Sequence, residues 1–187
     1  MNTPNKLTVL RMVLVPFFVA ALLISDIPAS YLIALVIFTV ASLTDMLDGQ
    51  LARKHNQVTT FGKFLDPLAD KMLVTSAMIC FIEMGLSSSV AVLIVIGREF
   101  MVSAIRLVAV GEGNVIAANI WGKVKTVIQL VVIIGVLLLL ALQDFGIAQS
   151  LDVPLISNVG MWVIAAVTAI SGGKYLVDNL QYINTTK

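Results

Sequence analysis

Residues 120–142 read IWGKVKTVIQLVVIIGVLLLLAL, and after Lys123 and Lys125 this stretch carries no further charge. A helix needs about 20 predominantly apolar residues to cross the hydrocarbon of a bilayer, so the stretch is long enough to do so. Comparable apolar runs recur over residues 8–25, 30–52, 61–83, 88–110 and 155–178. The hydrophobic fraction of 59% and mean hydropathy of +1.00 exceed what a soluble domain carries. These runs predict an all-α integral membrane protein with six transmembrane helices in one bundle. Residues 1–187 then form a single membrane domain, because no soluble domain fits between the spans.

The net charge of +1 says nothing about partners, and no part of the chain resembles a nucleic-acid module, but the distribution of charge is informative. Under the six-span reading, Asp26, Glu83, Asp144 and Asp152 lie in links on one side, with no Lys or Arg among them. The basic residues, Lys6, Arg11, Arg53, Lys54, Lys63, Lys71, Arg98, Arg106, Lys123, Lys125, Lys174 and Lys187, fall at or toward the other side. Cytoplasmic loops carry the excess of Lys and Arg, which puts both termini in the cytoplasm. The first span has no small-residue cleavage site, and a retained helix is expected. Cys80 stands alone in an apolar span and reads as a small hydrophobe.

Four aspartates interrupt the apolar pattern in one window. Asp45-Met46-Leu47-Asp48-Gly49-Gln50-Leu51-Ala52-Arg53 is followed, after eight residues, by Gly62-Lys63-Phe64-Leu65-Asp66-Pro67-Leu68-Ala69-Asp70. Carboxylates at membrane helices are costly and call for a compensating cation. Helical spacing sets Asp45 and Asp48 about 60° apart on one helix and Asp66 and Asp70 about 40° apart on the next. Two such pairs facing one cleft make an oxygen-rich cage for hard divalent cations. Gly49 and Gly62, and more weakly Ala52, permit close approach. Arg53 can hold a phosphate through its planar fork of donors. Pro67 removes one backbone hydrogen bond between the second carboxylate pair. The set suits phosphoryl chemistry on a lipid.

The pattern D-x-x-D-G-x-x-A-R-x8-G-x-x-x-D-x-x-x-D resembles the signature of the CDP-alcohol phosphotransferase family at every defined position. Asn5-x-x-Thr8-x-x-Arg11, Gly97-Arg98-Glu99-Phe100, Arg106-Leu107 and Trp121-Gly122-Lys123-Val124-Lys125-Thr126 resemble the bacterial branch whose acceptor is glycerol 3-phosphate. The resemblance covers most of the chain and is weakest over the last forty residues. It implies a six-helix, usually dimeric enzyme of the bacterial cytoplasmic membrane, with a cavity open to the cytoplasm. It implies two divalent cations, Mg²⁺ or Mn²⁺, on Asp45, Asp48, Asp66 and Asp70, with Asp70 also the catalytic base. It implies a CDP-diacylglycerol donor held by Asn5, Thr8, Asp48, Gly49, Ala52, Arg53 and Gly62, and sn-glycerol 3-phosphate as acceptor.

An acceptor that carries its own phosphate needs positive charge in the cavity. Arg98 lies about ten residues into the fourth span, roughly 15 Å, near mid-bilayer. Arg106 follows two turns later within about 80° of the same face, and Lys123 and Lys125 open the fifth span. Arg106 and Lys125, then Arg98 and Lys123, are the expected acceptor contacts.

Plainer readings stand beside these. The aspartates can be hydrated helix ends pairing with Lys63 and Lys71. Arg98 and Glu99 can form a structural ion pair, Lys123 and Lys125 can be topology determinants, and Asn5 and Thr8 can cap a helix. His55 is expected to be solvated, since carboxylates suit a hard cation better than imidazole. Trp121 reads as an interface anchor. The competing functions are a sibling transferase with serine, inositol phosphate or phosphatidylglycerol as acceptor, and a divalent-cation transporter. A transporter should hold its acids near the midplane, often within repeated halves, whereas these lie near one face.

Overall fold

The computed structural model describes residues 3–24, 26–54, 60–111, 114, 116 and 120–180; for 3–6, 45–54, 60–67 and 70 the description is of the backbone alone. Among the described residues there are six helices and no strand: α1 (Thr3–Leu23), α2 (Ser30–Lys54), α3 (Thr60–Glu83), α4 (Ser89–Gly111), α5 (Ile120–Asp144) and α6 (Val153–Asp178). Each coincides with one of the apolar runs, with ends that differ from it by up to five residues. Among the described residues, α5 and α6 are long and apolar enough to cross a membrane, and Leu7–Leu23 and Ser30–Thr44 form shorter apolar stretches. Arg98, Glu99 and Arg106 interrupt the apolar sequence of α4.

Helix ends are set by local chemistry. The Ser88 Oγ accepts the backbone N–H of Val90, capping the start of α4, and the Ser88 N–H donates to Asn158 Oδ1 of α6. After α5, the Ile147 N–H reaches the Leu142 carbonyl and the Gly146 N–H the Gln143 carbonyl, both at 2.9 Å. This Schellman arrangement requires a left-handed residue, and Gly146 supplies it at φ 77°.

The chain divides into two compact units, Met1–Met84 with Ile133–Val153, and Gly85–Val132 with Pro154–Lys187. In the first, α1 packs against both α2 and α3, and α2 touches α3. The buried face of α1 is a stripe of Thr8, Arg11, Val15, Phe18 and Leu22, at the three- and four-residue spacing of one helix face. Phe18 meets Phe38 of α2 with ring centroids 5.6 Å apart.

In the second unit, α4 and α6 run parallel and the start of α5 runs antiparallel to both. Ser88 pairs with Asn158 and Arg98 with Ser171, in ascending order on both helices. Gly122 of α5 lies beside Arg98, whereas Val132, ten residues further along α5, lies beside Gly160 of α6. The buried stripe of α6 includes Ser157, Thr168, Ser171 and Gly172. Such small residues let helix backbones approach where no hydrophobic force drives them together.

Candidate active site

In the first unit, the aspartate window occupies the C-terminal half of α2 and the N-terminal half of α3. The buried positions of α2, Ser30, Ala34, Phe38 and Ala41, repeat every three or four residues, and Asp45, Asp48 and Ala52 continue that spacing. On α3, Asp66 stands three residues before buried Ala69, and Asp70 three before Leu73 and seven before Ala77. The backbone register thus puts four carboxylate-bearing positions on the continuation of the faces by which these helices pack. α3 is one continuous helix through Pro67. The side chains of Asn5, Asp45, Asp48, Gly49, Ala52, Arg53, Gly62, Asp66 and Asp70, and all of His55, lie outside the described residues.

Of the expected nucleotide-side residues on α1, Thr8 is described to its side chain. It is 1% exposed and opens the buried stripe of α1 with Arg11. A polar threonine and a guanidinium at one end of an otherwise apolar stripe mark the end of the unit where polar chemistry is accommodated.

The donor set of the window consists of carboxylate oxygens alone, carried on two helices that share one packing partner. Hard divalent cations select oxygen ligands of this kind, so the residues fit the cations implied by the signature.

The second unit holds the basic residues expected to meet the acceptor, Arg98, Arg106, Lys123 and Lys125. Glu99 Oε1 accepts from Arg98 Nη1 at 3.2 Å and from Lys125 Nζ at 2.5 Å. Arg98 Nη2 also donates to Ser171 Oγ at 2.9 Å. The side chains of Arg98 and Lys125 are only 11% and 5% exposed, so both cations are held out of water and need a counter-charge. Lys125 lies five residues into α5, about 8 Å from its start, which sets the Arg98–Glu99 pair level with the second turn of that helix.

Arg106 places its Nε 3.4 Å from Tyr175 Oη, with its guanidinium carbon 5.7 Å from the ring centroid. Lys123 is exposed. Lys174 stands 5.5 Å from the ring of Trp121, adding a cation to the expected interface anchor. Of the expected acceptor residues, then, Arg98 and Lys125 meet at one carboxylate, Arg106 rests on Tyr175, and Lys123 faces outward. The structural ion pair weighed for Arg98 and Glu99 is present. Lys125, Ser171 and Tyr175 join this polar group through contacts that no local pattern announces.

The first unit thus carries the carboxylate window on helices that pack on α1, and the second carries Arg98, Arg106, Lys123 and Lys125. The chain belongs to the CDP-alcohol phosphatidyltransferase family, whose sequence pattern matches residues 1–170. Several similar proteins carry the name CDP-diacylglycerol–glycerol-3-phosphate 3-phosphatidyltransferase. That of Bacillus subtilis is 38% identical over 99% of this chain and 98% of its own. That of Haemophilus influenzae is 37% identical over 96% and 98%, and that of Escherichia coli 43% identical over 70% and 73%. Family membership decides against the cation-transporter alternative.

Proposed function

We propose that this protein transfers the phosphatidyl group of CDP-diacylglycerol to sn-glycerol 3-phosphate, giving phosphatidylglycerol phosphate and CMP. It does so as a single six-span domain of the bacterial cytoplasmic membrane, working as a homodimer with the active site and both termini facing the cytoplasm. The observation that carries the reading is the register of the acids. Asp45 and Asp48 continue the buried stripe of α2, and Asp66 and Asp70 that of α3, on helices that both pack on α1.

Asp45, Asp48, Asp66 and Asp70 would hold two Mg²⁺ or Mn²⁺ ions, which supply charge neutralisation for the pyrophosphate and for departing CMP. Asn5 and Thr8 contact the cytidine, with Asp48, Gly49, Ala52, Arg53 and Gly62 lining the rest of the nucleotide-lipid path. Asp70 takes the proton from the acceptor hydroxyl as its oxygen bonds to the phosphatidyl phosphorus. The bond from that phosphorus to the bridging oxygen breaks, and CMP leaves with the electron pair. A carboxylate is a weak base for an alcohol, so positioning and electrostatics supply most of the acceleration.

Arg106 and Lys125, followed by Arg98 and Lys123, receive the acceptor's own phosphate. Arg98, Arg106, Lys123 and Lys125 offer guanidinium and ammonium donors suited to a phosphate, which favours a phosphorylated alcohol over serine.

The test is incorporation of labelled glycerol 3-phosphate into lipid by the purified protein. Incorporation should require both CDP-diacylglycerol and Mg²⁺ or Mn²⁺ and stop on chelation. Parallel reactions with labelled serine, inositol phosphate and phosphatidylglycerol identify a sibling acceptor. Turnover with one of those and none with glycerol 3-phosphate overturns the assignment.

A further inference from the structure

The strongest feature outside the aspartate window is a polar chain that ties three helices at one level. It runs from Lys125 on α5 to Glu99 on α4, through the adjacent Arg98, to Ser171 on α6. A single oxygen, Glu99 Oε1, accepts from both cations. The flanking backbone is shaped around the arginine. A Cβ added at Gly172 would meet Arg98 Cγ at 2.7 Å, and one at Gly122 would come within 3.8 Å of Nη2. Glycine on α6 thus leaves the space in which the arginine stem lies.

A lysine has a flexible four-carbon stem, and its ammonium has no preferred direction of its own. Lys125 therefore needs a fixed acceptor if it is to present charge at one place, and the Glu99 carboxylate is that acceptor. The same oxygen orients Arg98, whose second terminal nitrogen is held by Ser171. Both cations meet at this carboxylate, so its loss would remove the acceptor by which they are held in one place.

We propose that Glu99 is a positioning residue of the acceptor-phosphate subsite, aligning Lys125 and Arg98 through one shared carboxylate oxygen while Gly172 leaves room for the Arg98 stem. The proposal rests on the reading of Lys125 and Arg98 as acceptor contacts. It adds a residue of the wrong charge for phosphate and a glycine, neither of which touches substrate.

The experiment compares Glu99→Gln, Glu99→Asp, Gly172→Ala and Lys125→Ala in the full chain purified in detergent, with KM for each substrate, kcat and Tm. Glu99→Gln should raise the glycerol 3-phosphate KM roughly tenfold, the scale expected when a charge-assisted hydrogen bond to phosphate is misaligned. The CDP-diacylglycerol KM should not change, and kcat at saturating acceptor should be largely kept. Glu99→Asp, which retains the charge on a shorter stem, should recover part of that binding. Gly172→Ala should raise the acceptor KM without any change of charge. This second variant carries the test should Glu99→Gln fail to fold.

Equal rises in both KM values, or a fall in Tm with no change in acceptor KM, overturn the proposal by making Glu99 a packing residue. An unchanged acceptor KM in Glu99→Gln and Gly172→Ala, with a raised one in Lys125→Ala, also overturns it while the subsite stands. An unchanged acceptor KM in Lys125→Ala as well removes the subsite reading itself.

Discussion

Lys125 and Glu99, 26 residues apart in sequence, meet at 2.5 Å, joining the start of α5 to the middle of α4. An ammonium and a carboxylate with little exposure are brought together only where the fold over-determines them, since removing one leaves an uncompensated charge. Glu99 also accepts from Arg98, so the pairing organises the positive part of the second unit rather than one pair alone.

Lys125→Ala and Arg106→Ala should each weaken glycerol 3-phosphate binding far more than CDP-diacylglycerol binding. Removing a charge-assisted hydrogen bond to phosphate costs on the order of 1.5–3 kcal/mol, about 10- to 100-fold in KM. The smaller change belongs to Arg106, which is exposed and leans on Tyr175. Initial rates at varied acceptor and fixed donor check this. Unchanged acceptor KM in both variants would show that these cations serve only topology.

The helices were legible in the sequence because each contains an apolar run of helical length, although among the described residues only α5 and α6 are long and apolar enough to cross a membrane. Their ends were less so. α2 continues through Asp45, Asp48, Arg53 and Lys54, where hydropathy falls but backbone hydrogen bonding does not. Asp45, Asp48, Asp66 and Asp70 stood out because acids are rare in such a chain. The partners of Arg98 and Arg106 did not. Ser171 and Tyr175 come from a helix 73 and 69 residues away, lie beyond the matched residues 1–170, and sit in a stripe whose period reports burial and not the identity of the neighbour.

Gly160→Ala should lower Tm without moving either KM. A Cβ there would lie 2.8 Å from Val132 Cγ1, a β-branched side chain with little freedom to yield. Overpacking of this kind costs roughly 1–3 kcal/mol. Val132→Ala in the same chain should relieve it, so the two changes should be non-additive. Thermal unfolding of the four proteins in one detergent is the measurement; additive losses would mean that α5 and α6 do not meet at this point.

The orientation is open to thiol labelling. Cys80 is 3% exposed and is the single native cysteine, so the wild-type background is low. Asp26→Cys and Asp152→Cys should react with an impermeant maleimide in intact cells, and Asp178→Cys only after permeabilisation, as the charge asymmetry requires. All three native residues are exposed. The reverse pattern would put the aspartate window on the wrong side of the membrane for a cytoplasmic acceptor.

Asp45→Asn, Asp48→Asn and Asp66→Asn should insert normally and lose turnover. A direct ligand matters more than a group that merely hydrogen-bonds a ligand, whose removal already costs about 10–100-fold in metal affinity or activity. Activity should therefore fall beyond that range at low Mg²⁺ and recover in part as Mg²⁺ rises. Titration of rate against metal tests each variant separately, and full activity at low metal in any one removes that residue from the site.

Asp70→Asn should behave differently, as a defect in chemistry. Asp70 lies one helical turn beyond Asp66, and on the proposed reading it serves the acceptor oxygen while the other three aspartates hold the cations. Asparagine keeps the size and an oxygen donor but cannot take the alcohol proton. Binding of CDP-diacylglycerol should survive better than in Asp45→Asn, while kcat falls by roughly 10²–10⁴, the usual cost of losing a general base. The comparison is donor affinity against single-turnover rate in the two variants at saturating Mg²⁺. Equal loss of donor binding in both would make Asp70 a metal ligand first and leave the acceptor's proton to another base.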